Sequence, residues 1–170
     1  MSERFEAELH SDQEWIQVYP YGVTLAADQS RPIMIFKDEQ EKLTLPVWLS
    51  PLDAGISLTQ AMNRTAPSTP HSLTQKMLGQ VGAELKKCLF VEIKGHHQIV
   101  QLHFDGHPEL KLITHRADES LSFCLHARAE FFAQRWFIDQ SRQLNAEIEG
   151  VQKGLELEPG LGHNEHPYVM

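Results

Sequence analysis

Arg116, Asp118 and Glu119 stand together where a strand-like segment ends and an apolar helix is expected to begin. Such a junction gathers backbone N–H donors and the positive end of a helix dipole, which favours binding of an anion. An arginine at this place can hold a phosphate through two parallel hydrogen bonds. The alternative is a structural ion pair between Arg116 and one of the two acids.

Two more helix starts carry groups that could do chemistry. Ser50-Pro51-Leu52-Asp53 predicts a helix with a serine cap, proline in the first turn and Asp53 at the capping-box position. His71 is expected in the first turn of the next helix, where the dipole keeps an imidazole neutral, so it could act as a base or contact phosphate. If Asp53 and Glu119 converged with another acid on a metal ion, they would activate water for phosphodiester cleavage. Otherwise the two acids simply complement helix dipoles.

Histidines are frequent, and several of them fall on the second set of predicted hairpins. The chain has 10 histidines, of which five lie on these hairpins: His96, His97, His103, His107 and His115. If their strands pair, His103 and His115 would point to one sheet face and could hold a divalent metal or act as acid and base. The favoured interpretation is that turns and an exposed face carry polar residues.

Composition limits the classes of function. The net charge of -8 disfavours tight binding of nucleic acid, which depends on basic residues neutralising phosphates, but a local patch would still allow it. Cys88 and Cys124 are interpreted as buried, reduced thiols of a cytoplasmic protein. The N-terminus lacks the pattern of a secretion signal, and no apolar run approaches the ~18 residues of a membrane span.

Hairpin patterns mixed with helix patterns predict an α+β domain with a mixed, largely antiparallel β-sheet and about three packed helices. Residues 1–13 are expected to be a mobile N-terminus, residues 14–140 the domain, and residues 141–170 a charged helix with a flexible tail. A loop is predicted from Asn63 to Ser68, and the third helix is expected from about Asp118 to Glu130. The strand, hairpin and helix patterns that precede this third helix in the sequence also indicate an α+β domain.

Three segments together resemble the bifunctional nuclease domain family, small bacterial and plant proteins linked to DNase and RNase activity. The first is Arg31-Pro32-Ile33-Met34-Ile35-Phe36-Lys37-Asp38, continued by Leu45-Pro46-Val47-Trp48-Leu49-Ser50 and Asp53-Ala54. The second is Pro67-Ser68-Thr69-Pro70-His71-Ser72-Leu73, and the third runs from Ile113 to Leu125. Their order and spacing agree with the family over about Val18 to Ile138.

The resemblance implies a bifunctional-nuclease-like fold, self-association and a site for phosphodiester hydrolysis. Glu119, His71 and Arg116 would be catalytic, with Arg116 and His71 also contacting the substrate. Glu119, Asp53 and Asp118 would hold Mg²⁺ or Mn²⁺.

The chain also departs from the family pattern at positions that matter for a metal. Thr114 stands where the family has an acid, Asp53 replaces a glutamate and Glu119 replaces an aspartate. Coordination distances tolerate little change in side-chain reach, so weak activity is expected.

Two functions of different class follow. The first is a metal-dependent phosphodiesterase with weak activity on DNA or RNA. The alternative is a non-catalytic oligomeric interaction or regulatory module on the same fold, in which Arg116 and Glu119 pair internally. Binding of a small anion without hydrolysis is a third interpretation. A homo-oligomer and no membrane association are expected in each case.

Overall fold

The computed structural model describes residues 14–26, 31–62 and 69–156. The predicted mobile N-terminus, the loop from Asn63 to Ser68 and the tail beyond residue 156 therefore lie outside the described residues. The strands are β1 (Trp15–Leu25), β2 (Pro32–Asp38), β3 (Thr44–Trp48), β4 (Glu84–Lys94), β5 (His97–Asp105), β6 (Leu112–Arg116) and β7 (Glu130–Gln134). The helices are α1 (Pro51–Met62), α2 (Pro70–Gln80), α3 (Leu121–His126) and α4 (Arg135–Glu156), with a 3₁₀ turn at Ala117–Glu119 before α3.

The strands form one seven-stranded sheet in the order β3-β2-β1-β7-β4-β5-β6. Strands β1, β2 and β3 make one antiparallel meander, and β4, β5 and β6 make a second. Strand β7 joins the two meanders, because it pairs antiparallel with β1 and parallel with β4. The predicted α+β class with a mixed, largely antiparallel sheet is thus confirmed, with four α-helices in the described residues where about three were expected.

The core lies on the face of the sheet that carries the alternating apolar residues. Met34 and Phe36 of β2, Phe90 of β4 and Val100 of β5 are among its fully buried side chains. The rings of Phe36 and Phe90 meet edge to face with their centroids 5.5 Å apart. Such aromatic pairs add stability beyond the apolar area that they bury. Burial also alternates along β5, where Val100, Leu102 and Phe104 are buried and the residues between them are partly exposed.

The sheet curls, and the side chain of Gln98 at the start of β5 connects two regions that are distant in the strand order. Its Oε1 accepts a hydrogen bond from the backbone N–H of Trp48 at 3.1 Å, and its Nε2 donates to the carbonyl of Pro46 at 2.9 Å. Nε2 also donates to the hydroxyl of Ser141 in α4 at 2.9 Å. Gln98 is 3% exposed, so these bonds satisfy the outer edge of β3 in a dry environment.

Helix α4 covers the part of the sheet where Gln98 meets β3. It packs on β3, β4 and β7, and Leu144 lies against a small cluster that includes Ile33 and Trp48. Strand β3 is covered on both faces, since four of its five residues are buried, as its nearly continuous apolar sequence requires. The charged helix expected from about Arg142 is the later part of α4, which already begins at Arg135.

Two expectations need correction. The third helix does not run to Glu130, because α3 ends at His126 and β7 begins at Glu130. The pairing of β5 with β6 places His103 opposite Leu112 and His115 opposite Val100. Adjacent cross-strand pairs alternate between the two faces of a sheet, so His103 and His115 lie on opposite faces and cannot form one metal site.

Cys88 and Cys124 are both buried and free, as predicted. Burial, with Cys124 close by, raises the pKa of the Cys88 thiol well above its ordinary value. In the part of the chain that the structure describes, no helix combines the length and apolar character needed to cross a bilayer.

Candidate functional site

The start of α1 positions Asp53. The Oγ of Ser50 accepts a hydrogen bond from the Asp53 N–H at 3.1 Å, which confirms the predicted serine cap. The second half of a capping box is missing, because the N–H of Ser50 donates to the carbonyl of Asp118 at 3.1 Å instead. The carboxylate of Asp53 is therefore not used to close its own helix and reaches across to α3.

Asp53 is bonded to Ser122 through both of its oxygens. The N–H of Ser122 donates to one carboxylate oxygen at 3.1 Å, and the Ser122 hydroxyl donates to the other in a short hydrogen bond. Asp53 is 6% exposed and Ser122 is fully buried. A buried carboxylate needs such donors to offset its lost hydration, so the two bonds tie α1 to the first turn of α3.

His71 joins this pair from α2. Its Nε2 lies 2.7 Å from the Ser122 hydroxyl. Since the single hydroxyl proton of Ser122 goes to Asp53, the bond requires a proton on Nε2, and Nδ1 keeps the lone pair of the neutral ring. The ring packs edge-on against Phe123 and stands 6.1 Å from the ring of His126. Asp53, Ser122 and His71, named the Ser122 triad below, thus link three helices.

Burial sets the protonation of the triad. Desolvation raises the pKa of Asp53 above its ordinary 3.8, the bonds from Ser122 oppose this, and repulsion from Asp118 and Glu119 adds to it. Desolvation lowers the pKa of His71 below 6.5, and nearby His126 lowers it further. Burial therefore favours the neutral imidazole that was expected at this helix start.

Arg116 is engaged by the acids that follow it. Its Nε and Nη2 donate to the two carboxylate oxygens of Asp118 at 2.9 and 2.5 Å, and Nη1 lies 3.9 Å from Glu119. The bonds to Asp118 raise the pKa of Arg116 above its ordinary value. The ion pair that sequence allowed as the alternative to phosphate binding is therefore present, with Asp118 as the main partner.

The remaining groups of the junction also bond to one another. The Ser120 hydroxyl donates to the carbonyl of Arg116 at 2.6 Å, and Nδ1 of His115 lies 2.9 Å from the same hydroxyl. Nε2 of His115 lies 3.8 Å from the carboxylate of Glu119. Thr114, where the resemblance led us to expect an acid, is an exposed residue of β6.

The structure thus divides the five predicted site residues into two neighbouring groups. Asp53 and His71 meet through Ser122, whereas Arg116, Asp118 and Glu119 form an ion-pair cluster that acts on Asp53 through charge. Within residues 14–26, 31–62 and 69–156, no group of three or more His, Cys, Asp or Glu side chains is arranged to hold a metal ion. A cleft of about 290 Å³ lies elsewhere, between β1 residues and Gln60 and Leu125.

Sequence reasoning missed Ser122, the residue at the centre of the triad. The signal was weak, since it is a small polar residue inside the apolar run Leu121-Ser122-Phe123-Cys124. Such a residue on a buried helix face needs a hydrogen-bond partner, but its partner Asp53 lies 69 positions away in the chain.

Comparisons with known proteins leave the chain unassigned. No family model matches it, and no curated protein matches it at a significant level.

Proposed function

We propose that the chain is a divergent domain of the bifunctional nuclease type that serves as a non-catalytic interaction module. One observation carries the proposal: four of the five groups that hydrolysis would need, Asp53, His71, Arg116 and Asp118, are hydrogen-bonded within the protein. Both oxygens of Asp53 accept from Ser122, and the guanidinium of Arg116 is taken up by Asp118. These groups hold the β6–α3 junction against α1, which is a structural task.

Recruiting them for phosphodiester cleavage would break these bonds. A metal ion on Asp53 would compete with two hydrogen bonds to a carboxylate that is 6% exposed. The guanidinium of Arg116 already donates to both oxygens of Asp118, and the net charge of -8 opposes approach of a polyanion. The energetic balance therefore favours the closed junction.

Exposed apolar surface supports an interaction role. Helix α2 has no buried residue, yet it carries Leu73 and Met77 one helical turn apart, at 65% and 62% exposure, with Val81 just beyond it. Leu52 at the start of α1 is 77% exposed. Apolar residues on successive turns of one helix are typical of a surface that another protein covers.

A cleavage assay separates the module from an enzyme. Highly purified wild-type protein and the Arg116→Ala/Glu119→Ala double variant are incubated with labelled RNA and DNA in Mg²⁺ or Mn²⁺. We expect equal background rates, together with a lower urea midpoint for the double variant. Arg135→Ala, which removes the exposed Arg135–Asp139 pair, is the control for loss of a surface ion pair. Metal-dependent cleavage that falls at least about a hundredfold in the folded double variant would refute the proposal.

A metal-dependent phosphodiesterase is the second candidate, because one observation favours it. Three helices bring Asp53, a neutral His71 and the acids Asp118 and Glu119 into one neighbourhood. In this function Glu119 and Asp53, with Asp118, would hold Mg²⁺ or Mn²⁺, and Arg116 would contact phosphate after leaving Asp118. Calorimetric titration with Mn²⁺ tests it: binding lost in Glu119→Gln but kept in Glu84→Gln, an exposed acid on β4, would support the enzyme.

A further inference from the structure

Strand β6 is an uncovered edge of the sheet. Within the described residues it pairs with β5 alone, and four of its five residues are exposed. Two of these are large and apolar, Leu112 at 45% and Ile113 at 38% exposure. From Leu112 to Arg116 the strand has no proline or bulge to discourage pairing. An edge with these properties is a template for another strand.

The ladder with β5 fixes which backbone groups point outward. Phe104 donates its N–H to the carbonyl of Lys111, so their pair is a hydrogen-bonded one. Hydrogen-bonded and non-bonded pairs alternate along an antiparallel ladder, so Ile113 and His115 also face β5. Leu112 and Thr114 therefore direct their N–H and C=O groups away from the sheet, while the carbonyl of Arg116 is already taken by Ser120.

We propose that β6 pairs antiparallel with β6 of a second copy of this chain, about a two-fold axis at Ile113. In this register Leu112 of each copy faces Thr114 of the other, and each of these two pairs exchanges two backbone hydrogen bonds. Ile113 then faces Ile113 in a non-hydrogen-bonded pair, where side chains come closest. The inference deepens the proposed interaction role, on which it rests, by naming a second copy as the partner.

Charge complementarity supports this partner and this register. Lys111, Ile113 and His115 alternate onto one face of the strand, so Lys111 of one copy stands opposite His115 of the other. His115 lies 3.8 Å from the carboxylate of Glu119, whose side chain is 49% exposed. In this register Lys111 of each copy would lie next to the carboxylate of Glu119 of the other, at both ends of the interface. A register centred on Thr114 would instead require the occupied carbonyl of Arg116.

Pairing through one short strand buries little area, so the dimer is expected to be weak and concentration-dependent. The symmetry also makes it closed, since each edge is used by the other copy and no third chain can add.

Single cysteines at three successive positions test the register. Ile113→Cys places two thiols in a facing pair about 4.5 Å apart between Cα atoms, within disulfide reach, whereas Leu112→Cys and Thr114→Cys place equivalent thiols on a diagonal of about 7–8 Å. We expect mild oxidation to link Ile113→Cys at least about tenfold faster than the other two. Leu73→Cys on α2 is the control for random collision, and the native Cys88 and Cys124 are buried. Equal cross-linking at positions 73 and 113 would overturn the proposal.

A second measurement does not depend on a new thiol. Thr114→Pro removes an outward N–H, and we expect sedimentation equilibrium to show dimerisation weakened at least about tenfold, whereas Thr114→Val, which keeps the N–H, retains it. Ile113→Lys places two like charges opposite each other at the two-fold axis. We expect it to weaken dimerisation in the same way without introducing a proline. A dimer that persists in both folded variants, or a wild-type monomer at every concentration, would also overturn the proposal. Cleavage assays are unaffected by these outcomes, so failure of the dimer and failure of the non-catalytic role are distinguishable.

Discussion

The two edge strands of the sheet differ in burial and in whether their outward backbone groups are bonded within the described residues. Strand β3 is almost wholly buried, carries Pro46 where an N–H would otherwise point outward, and has its outer backbone groups bonded by Gln98. Strand β6 is exposed, with the outward backbone groups of Leu112 and Thr114 left for another strand. The first edge is completed within the chain, whereas the second is suited to completion by assembly.

At β3, one side chain bonds backbone groups that would otherwise need a neighbouring strand. The side-chain amide of Gln98 carries both a C=O acceptor and an N–H donor, so it imitates a strand neighbour for two of the outward groups of β3, the N–H of Trp48 and the carbonyl of Pro46. The same sheet thus has one edge that contributes to folding stability and one that is available for recognition. Four expected outcomes test this contrast and the buried polar bonds that accompany it.

The largest effect should separate the two edges directly. Val47→Lys places an ammonium at a fully buried position of β3, and we expect loss of more than about 4 kcal/mol, enough to unfold a typical domain. Ile113→Lys on β6 should change the unfolding free energy of the monomer by no more than about 0.5 kcal/mol. Urea unfolding followed by circular dichroism measures both. Comparable losses in the two variants would contradict the contrast.

The next effect concerns the closure of β3. Gln98→Ala removes three buried hydrogen bonds and leaves the N–H of Trp48 and the carbonyl of Pro46 without this partner. We expect a loss of about 3 kcal/mol in unfolding free energy. Gln101→Ala, on the opposite face of the same strand, is the matched control and should cost no more than about 0.5 kcal/mol. If both variants behave alike, Gln98 does not hold the edge.

Two buried serines test whether the Ser122 triad stabilises the fold. Ser122→Ala removes the hydroxyl between Asp53 and His71, and we expect a loss of about 2 kcal/mol because a buried carboxylate loses a donor. The Ser57 hydroxyl is also fully buried but has no hydrogen-bond partner among the described residues. Ser57→Ala should therefore be neutral within about 0.5 kcal/mol, as measured by the same urea titration.

The smallest effect is a pH dependence from the triad. Burial lowers the pKa of His71 below 6.5, so the unfolded chain binds more protons between the folded pKa and pH 6.5. Stability from this group is therefore fully present above pH 6.5 and is lost as the pH falls. Asp53, whose pKa is raised above 3.8, acts with the opposite sign as the pH rises above 3.8.

The check compares urea midpoints at pH 5.5 and 7.5. His71→Gln should reduce the rise in midpoint between these two values without abolishing it, because His103 also has a lowered pKa through burial and the charge of Lys87. His97→Gln, at an exposed position, is the control. An unchanged slope in His71→Gln would show that the triad does not respond to protonation in this range.

Strands and helix starts were predictable because their signals are local. The hairpin of β2 and β3, the serine cap at Ser50 and the position of His71 in the first turn of α2 follow from patterns a few residues long. The Ser122 triad and the Gln98 bonds join residues about 40 to 70 positions apart, and no local pattern encodes such pairs.

The early end of α3 was also not predictable from a local sequence pattern. Arg128 has a φ of 55°, a left-handed conformation that allows the N–H of Ala129 to bond the carbonyl of Cys124 and ends the helix. Glycine is the usual signal for this turn, and an arginine gives none. The following Phe131 and Phe132 could then belong to a strand, whose partners β1 and β4 become apparent only in three dimensions.

The position of β7 has a consequence for the order of folding. The two meanders consist of neighbouring segments and can form as they emerge during synthesis, but the strand that connects them comes last among the strands of the described residues. Until Gln134 has emerged, β1 and β4 both present open edges toward each other. The nascent protein is therefore most exposed to wrong strand pairing just before its sheet is completed, and chains cut before Glu130 should aggregate rather than fold.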